Sequence, residues 1–377
     1  MPDAPIDYDR LVSTFITLAN INSPANREGN VAKQVIAMLQ ELGAQVTIDT
    51  ADVRLGGETG NIIARLPGTV NAPALLFNAH IDTVEPTEKL RIRLLEDRIT
   101  SDGDTILGAD DKAGVAAILE MARAVLASGI PRPPLELVFT VAEEVGLMGS
   151  MVLDYELITA RAGFVADSGG PVGRIVNRAP AQKNLRFTVH GRASHAGIAP
   201  EEGINAITAA AHAIAALRQG RIDAETTANI GIIRGGRATN IVPDTVEVTG
   251  EARSRDPQKL EEQAAHMRDT FRQAAERLGA TVELEETDIY PAFNLAPDAL
   301  PVRLASEALQ ALERAPIVEF TGGGSDANFF NQHGIETVIL SSGMYKPHCH
   351  DEYLDLEEFH RLARWLYEIV RVAGSGN

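Results

Sequence analysis

Five short stretches of the chain carry side chains that can bind a divalent cation or move a proton. They are His80-Ile81-Asp82, Gly108-Ala109-Asp110-Asp111-Lys112-Ala113-Gly114, Glu143-Glu144-Val145-Gly146, Asp167 before Ser168-Gly169-Gly170, and His348-Cys349-His350-Asp351-Glu352. In the first, a carboxylate two residues from an imidazole can orient the ring so that its other nitrogen is free for metal, although a lone H-x-D is more often incidental. The second is a turn before an apolar helix, where Asp also suits the helix dipole with no metal present. In the third, two adjacent carboxylates at a strand end cannot both point one way. One can bind metal while the other faces a water, the division of labour that metal-assisted hydrolysis needs; a solvated acidic loop is the plainer alternative. Late in the chain, His348 and His350 compete for a ligand role. The single cysteine, Cys349, excludes an intrachain disulfide and a thiolate zinc cluster, so a metal must be held by His and carboxylates, of which the chain has 9 and 52.

These stretches depend on the elements that carry them. Short apolar runs at 61–66, 74–79, 135–141, 162–166 and 336–341 read as buried strands. Helical spacing covers 30–42, with Gly43 as a natural stop, 113–127, and a long terminal stretch at 356–372. Alternation of strands and helices predicts an α/β sheet, and ligands in such sheets sit beyond the strand C-termini. Each chemical stretch follows a strand or opens a helix, which places all five at one rim.

Between 180 and 290 the pattern changes to strand 184–190, helix 203–218, strand 229–234, strand 245–253, helix 257–277 and strand 280–288. This is the β-α-β-β-α-β order of the ferredoxin-like unit, and strands and helices of the first kind resume after it, so it reads as an insertion.

The 377 residues include 34 Lys plus Arg against 52 Asp plus Glu, a net charge of −18. Such acidity excludes a general nucleic-acid binder, whose affinity comes largely from cations at phosphates. With 45% hydrophobic and 23% charged residues the chain can bury a large core. The start, Met1-Pro2-Asp3-Ala4-Pro5-Ile6-Asp7, lacks signal-peptide character, and no run approaches the ~20 apolar residues of a membrane span. A cytoplasmic protein without membrane or nucleic-acid partners is expected. A nucleotide site is not: neither a Walker pattern nor a strand-to-helix G-x-G-x-x-G is present.

Order and spacing of the five stretches, over nearly the whole chain, resemble the zinc-dependent family of aminoacylases, glutamate carboxypeptidases, succinyl-diaminopimelate desuccinylases and tripeptide aminopeptidases. The G-A-D-D-K-A-G form, Thr140-Val141-Ala142-Glu143-Glu144 and Gly322-Gly323-Gly324-Ser325-Asp326-Ala327-Asn328 look most like its peptidase T-like branch. The resemblance implies an α/β zinc-peptidase catalytic domain, a central sheet flanked by helices built from 1–179 and 291–377, with 180–290 as a ferredoxin-like α+β lid and dimerisation domain. It implies two Zn²⁺ per subunit, with Co²⁺ or Mn²⁺ as possible replacements. One ion would be held by His80, Asp110 and Asp167, the other by Asp110, Glu144 and His348, with Asp110 bridging. His348 is preferred to His350 because it stands four residues before Glu352, the family's His-to-Glu spacing. Asp82 would be the partner of His80, Glu143 the general base for a zinc-activated hydroxide, and the Asp110–Asp111 peptide bond cis.

In the inserted unit the resemblance implies that His195 reaches the active site of the other subunit as an oxyanion donor, that Asn240 helps hold substrate, and that Arg253 clamps a substrate carboxylate. Gly323 and Gly324 would let backbone N–H groups approach the substrate. The expected activity is hydrolysis of amide bonds in short peptides by a homodimeric, tripeptidase-like aminopeptidase. The alternatives are an N-acyl-amino-acid deacylase or carboxypeptidase on the same fold and, from another class, a non-catalytic metal- or peptide-binding protein.

Overall fold

A computed structural model describes residues 5–375, so the leader reading at Met1–Ala4 and the last two residues of the 291–377 segment lie outside the described residues. The chain forms two compact units. One comprises the chain up to Arg178, Leu295–Thr321 and everything from Ser325 onward; the other is Ala179–Asn294 with Gly322–Gly324.

In the first unit the central sheet runs, in spatial order, Gln45–Ile48, Ile62–Leu66, Leu135–Thr140, Leu75–His80, Ala162–Ser168, Glu336–Ser341 and Arg174–Ala179. Ile317–Phe320 lies parallel to the last of these. The middle of the sheet is parallel: Leu75–His80 pairs in parallel with Leu135–Thr140 and with Ala162–Ser168, and Glu336–Ser341 is parallel to Ala162–Ser168. The register sets His80 opposite Thr140 and Ser341 opposite Ser168, so four C-terminal ends share one rim. Both faces of these strands are covered, which is why they read as continuous apolar runs and not as alternation.

Helix Ala109–Ser128 is buried around most of its circumference because it lies against the His80 strand on one side and against helices Tyr8–Ala19 and Leu356–Ser375 on the other. Its apolar pattern starts later than its first turn, since Asp110 and Asp111 depart from helical φ/ψ. In the terminal helix, Phe359, Leu362, Ala363, Leu366, Ile369 and Val370 recur at helical spacing and are fully buried, and the indole N–H of Trp365 donates to the Ala305 carbonyl at 2.9 Å. A small antiparallel sheet joins Arg98–Ser101 to Tyr353–Asp355 and that strand to Met344–Tyr345. The His348 turn is slung between its last two strands.

The second unit is an antiparallel sheet in the order Gly220–Arg221, Thr226–Gly235, Thr245–Ser254, Ala181–His190 and Thr281–Tyr290. Helices Ala206–Ala216 and Pro257–Arg277 pack on each other and on its strands. Asp256 caps the longer helix by accepting from the N–H groups of Gln258 and Lys259, with Pro257 in the first turn. Phe187 stacks on Phe271 at 3.8 Å between ring centres. The unit's last strand ends at Tyr290, the boundary expected from the sequence, and the four residues up to Asn294 belong with it as well. The unit also takes in Gly322–Gly324. A Cβ on Gly324 would lie 2.4 Å from the Tyr290 ring, so only glycine permits that approach. Among the described residues no helix is long and apolar enough to cross a membrane.

Candidate active site

The shared rim gathers the acidic and histidine stretches of the first unit. His80 ends its strand almost fully buried, with Nε2 3.2 Å from Asp110 Oδ1, 3.9 Å from Asp167 Oδ1 and 4.0 Å from Glu143 Oε2. His348 sits at positive φ in its turn and aims Nε2 at Asp110 Oδ2 (3.3 Å) and Glu144 Oε2 (3.0 Å). Two donor triples result, His80 with Asp110 and Asp167, and Asp110 with Glu144 and His348; within each, the ligand atoms lie within 4.8 Å of one another. Asp110 belongs to both. His350 takes no part: it is exposed, and its Nδ1 lies 3.0 Å from the Gly103 carbonyl oxygen. The Asp110–Asp111 peptide bond is cis.

The remaining acids are tied to backbone. Asp82 is fully buried; its two oxygens accept from the N–H groups of Glu143 (3.0 Å) and Glu144 (3.1 Å), while His80 Nδ1 lies 3.0 Å from the Asp82 carbonyl oxygen and 3.4 Å from its carboxylate. Asp82 therefore steadies the Glu143–Glu144 loop as well as the imidazole. Glu352 accepts from Gly108 N (2.8 Å) and Asp110 N (3.1 Å), joining the His348 turn to the Asp110 turn. Asp111 accepts from Gly114 N at 3.1 Å, and a Cβ on Gly114 would fall 2.4 Å from that same carboxylate, which explains the glycine.

Electrostatics set these groups apart. Hydrogen bonds to Asp110 and Glu144 push the His348 imidazole up to about 10. Burial works to raise the Asp110 carboxyl, but bonds from His348 and His80 overcome it and hold it well below the usual carboxylate range. Burial, with the neighbouring charges of Asp167, Asp326 and Glu144, drives Glu143 well upward despite the opposing His80, and burial beside Asp110 does the same to Asp167. Burial lowers the Lys112 amine to about 7. So many buried carboxylates with so little cationic compensation is costly unless cations are bound. The donor set, His nitrogen and carboxylate oxygen without thiolate, suits zinc or a similar divalent ion, and the buried Glu144 Oε1 has no hydrogen-bond partner. The residues present fit a pair of such ions.

The chain belongs to peptidase family M20/M25/M40. The model of that family matches residues 76–372. The protein YqjE of Bacillus subtilis (strain 168) is 38% identical over 368 residues, covering 98% of this chain and 99% of the relative. The crystal structure of aminopeptidase PepT from Bacillus cereus ATCC 10987 superposes with a TM-score of 0.91 at 40% identity, covering 98% of this chain and 99% of that one. That of a tripeptidase from Staphylococcus aureus subsp. aureus mu50 gives 0.95 at 36% identity with the same coverage. This M20 chain is a metallopeptidase, and its rim holds a candidate metal cluster.

The other sequence-derived candidates lie in the second unit. His195 and Asn240 are exposed and stand on facing loops, with His195 bridged to Ile241 and Ala196 N donating to the Asn240 carbonyl at 2.9 Å. The Arg253 fork is engaged by Glu251 of its own strand, Nε and Nη2 each at 3.0 Å, so a carboxylate clamp there would have to share or exchange that partner. Gly323 and Gly324 are partly buried.

Sequence reasoning passed over several buried polar residues of the M20 site. Asp326 is nearly fully buried and accepts from the Thr140 hydroxyl, and Asn78 donates to that hydroxyl at 3.2 Å. Asn61 accepts from Val141 N (3.1 Å) while donating to Asp49 Oδ2 (2.8 Å) and the Gly149 carbonyl (3.0 Å). Glu28 accepts from Ala142 N at 3.0 Å. Asp326 stood in a quoted motif; Asn61 and Glu28 gave no local signal.

Proposed function

We propose that this M20 peptidase hydrolyses short peptides from a free amino terminus, as a tripeptidase-like aminopeptidase with two zinc ions. The observation that carries the reading is the pair of donor triples sharing Asp110, with Glu143 beside them and belonging to neither. His80, Asp110 and Asp167 would hold one ion and Asp110, Glu144 and His348 the other. Bound zinc supplies a water of lowered pKa and polarises the scissile carbonyl.

Glu143 accepts the proton of the attacking water and delivers it to the leaving amine, a task suited to a carboxyl that burial has made more basic than usual. Asp82 holds the Glu143 and Glu144 backbone in place, and Glu352 holds Asp110 to the His348 turn. The second unit acts as a lid, with Asn240, Arg253, Gly323 and Gly324 reading the substrate backbone and termini. It pairs two subunits so that His195 donates to the developing oxyanion of the partner's site. Support for pairing comes from strand Thr226–Gly235, which exposes Ile232 and Ile233 on an outer edge where only Gly220–Arg221 pairs among the described residues. A cytoplasmic location belongs to the same proposal.

The test is a panel of di- and tripeptides with free and blocked amino termini, run on protein stripped of metal and reloaded with Zn²⁺. Cleavage of tripeptides that is abolished by N-blocking supports the aminopeptidase. Preference for the blocked compounds moves the reading to an N-acyl-amino-acid deacylase or carboxypeptidase, and zinc binding without turnover moves it to a binding protein.

A further inference from the structure

The N–H groups of Val141, Ala142, Glu143 and Glu144, four in succession, all donate to buried side-chain oxygens: Asn61 Oδ1, Glu28 Oε1, Asp82 Oδ1 and Asp82 Oδ2. This backbone leaves strand Leu135–Thr140 and turns sharply, with Ala142 at φ 49 and Leu147 at φ 59. Non-glycine residues hold that region only when the surroundings over-determine it. The Glu28 carboxyl is wholly buried: Oε1 also accepts from Asn26 N at 2.9 Å, and Oε2 has no partner. Buried carboxyls so placed are costly, and although Glu28 is the N-cap of helix Gly29–Glu41 its side chain makes no capping bond there.

Glu28 belongs to a loop that touches three of the chemical stretches from beneath. Ile21 offers its carbonyl to Lys112 Nζ at 2.6 Å. Ser23 donates to the Ile81 carbonyl at 2.9 Å and accepts from Thr83 N at 3.0 Å. Glu28 takes the Ala142 N–H. All of these residues precede position 76, where the family match begins.

We propose that Glu28 is a positioning residue, whose Oε1 fixes the Ala142 N–H and thereby sets the direction in which Glu143 presents its carboxylate to the reacting water. The inference rests on the assignment of Glu143 as general base. Burial beside Asp82 pushes the Glu28 carboxyl up to about 7; the Ala142 N–H needs only an acceptor oxygen, which a glutamine amide also offers. A misplacement of about 1 Å costs a catalytic group on the order of 10²-fold.

The experiment compares wild type, Glu28→Met, which keeps the volume and removes the acceptor, and Glu28→Gln, which keeps Oε1. Each is zinc-loaded and assayed on a tripeptide, with zinc content and amide hydrogen exchange measured in parallel. The expected result for Glu28→Met is kcat down by ~10- to 100-fold at unchanged KM, two zinc ions retained, and faster exchange confined to 141–147; Glu28→Gln recovers most of both. Wild-type kcat and unchanged exchange in Glu28→Met overturn the proposal, as does loss of zinc, a parallel rise in KM, or failure of Glu28→Gln to recover. Should Glu28→Met not fold, Glu28→Asp, with the acceptor drawn back by one methylene, takes its place under the same criteria. Should wild type itself prove inactive, the functional reading fails, while the exchange data still decide whether Glu28 holds the loop.

Discussion

Loading the metal-free protein with Zn²⁺ should expel protons, and the two histidines set the minimum number. At pH 7 the His348 imidazole, raised to about 10 by Asp110 and Glu144, carries its proton, and so does His80, held well above its ordinary 6.5 by Glu143, Asp110 and Asp82 against the opposing effect of burial. Both rings must be neutral to offer Nε2 to a cation. Asp110, held low by the two imidazoles, is already ionised and releases nothing. Each ion displaces one imidazole proton, which steepens its affinity about tenfold per pH unit and implies roughly a 10²-fold gain per ion between pH 6 and pH 8. Isothermal titration with Zn²⁺ in buffers of different ionisation enthalpy reads both the slope and the proton count. Affinity that is flat across this range, or heats independent of the buffer, would refute the geometry of the histidine–carboxylate contacts. The same shifts govern stability without metal. Both histidines have folded values above their unfolded ones, so their contribution is whole below their ordinary 6.5 and fades as pH rises through the folded value, which for His348 is about 10; His348 is half exposed, and solvent screening reduces its share.

Replacing Glu143 with Gln should leave zinc content at two per subunit by elemental analysis while kcat falls by at least ~10²-fold; loss of zinc would remove Glu143 from the role of base. Asn61→Ala leaves the buried Val141 N–H without its acceptor and removes the donor to the Gly149 carbonyl, while Asp49 Oδ2 keeps the Asp154 N–H at 3.2 Å, a cost of ~2–4 kcal/mol readable by urea unfolding. Glu352→Ala frees the Gly108 and Asp110 N–H groups and should weaken Zn²⁺ binding, measured by competition with a chelating dye, more than it lowers the melting temperature. Mixing His195→Ala subunits with Glu143→Ala subunits should restore activity that neither homodimer has; an inactive mixture argues that His195 serves its own chain or none.

The acidic and histidine stretches were legible because their chemistry is local: His80, Glu143 and Glu144 follow apolar runs that can only be buried strands, and parallel pairing sends their ends to one rim. Glu28 and Asn61 were not, because nothing near them in the chain marks them, and Asp326 was marked only by its motif, without its partner. Glu28 meets Ala142 across 114 positions, and Asp326 meets Thr140 across 186. Strand Gln45–Ile48 was invisible for another reason, being a half-exposed edge of mixed polarity. Gly323 and Gly324 read as a place where backbone approaches the substrate, and the packing of Gly324 against Tyr290 was not legible because it depends on a strand boundary that hydrophobic alternation does not mark.

The bond from Glu352 to Gly108 spans 244 positions, with the whole inserted unit between its ends. A chain emerging from the ribosome therefore presents His80, Asp110, Glu144 and Asp167 long before the clamp that joins Asp110 to the His348 turn exists. Contacts of such separation form late, so during biosynthesis the cluster spends its time as an acidic, half-built cup. Completion of the Asp110, Glu144 and His348 triple is thereby tied to the end of the polypeptide, whereas the residues of the His80, Asp110 and Asp167 triple are all made well before it.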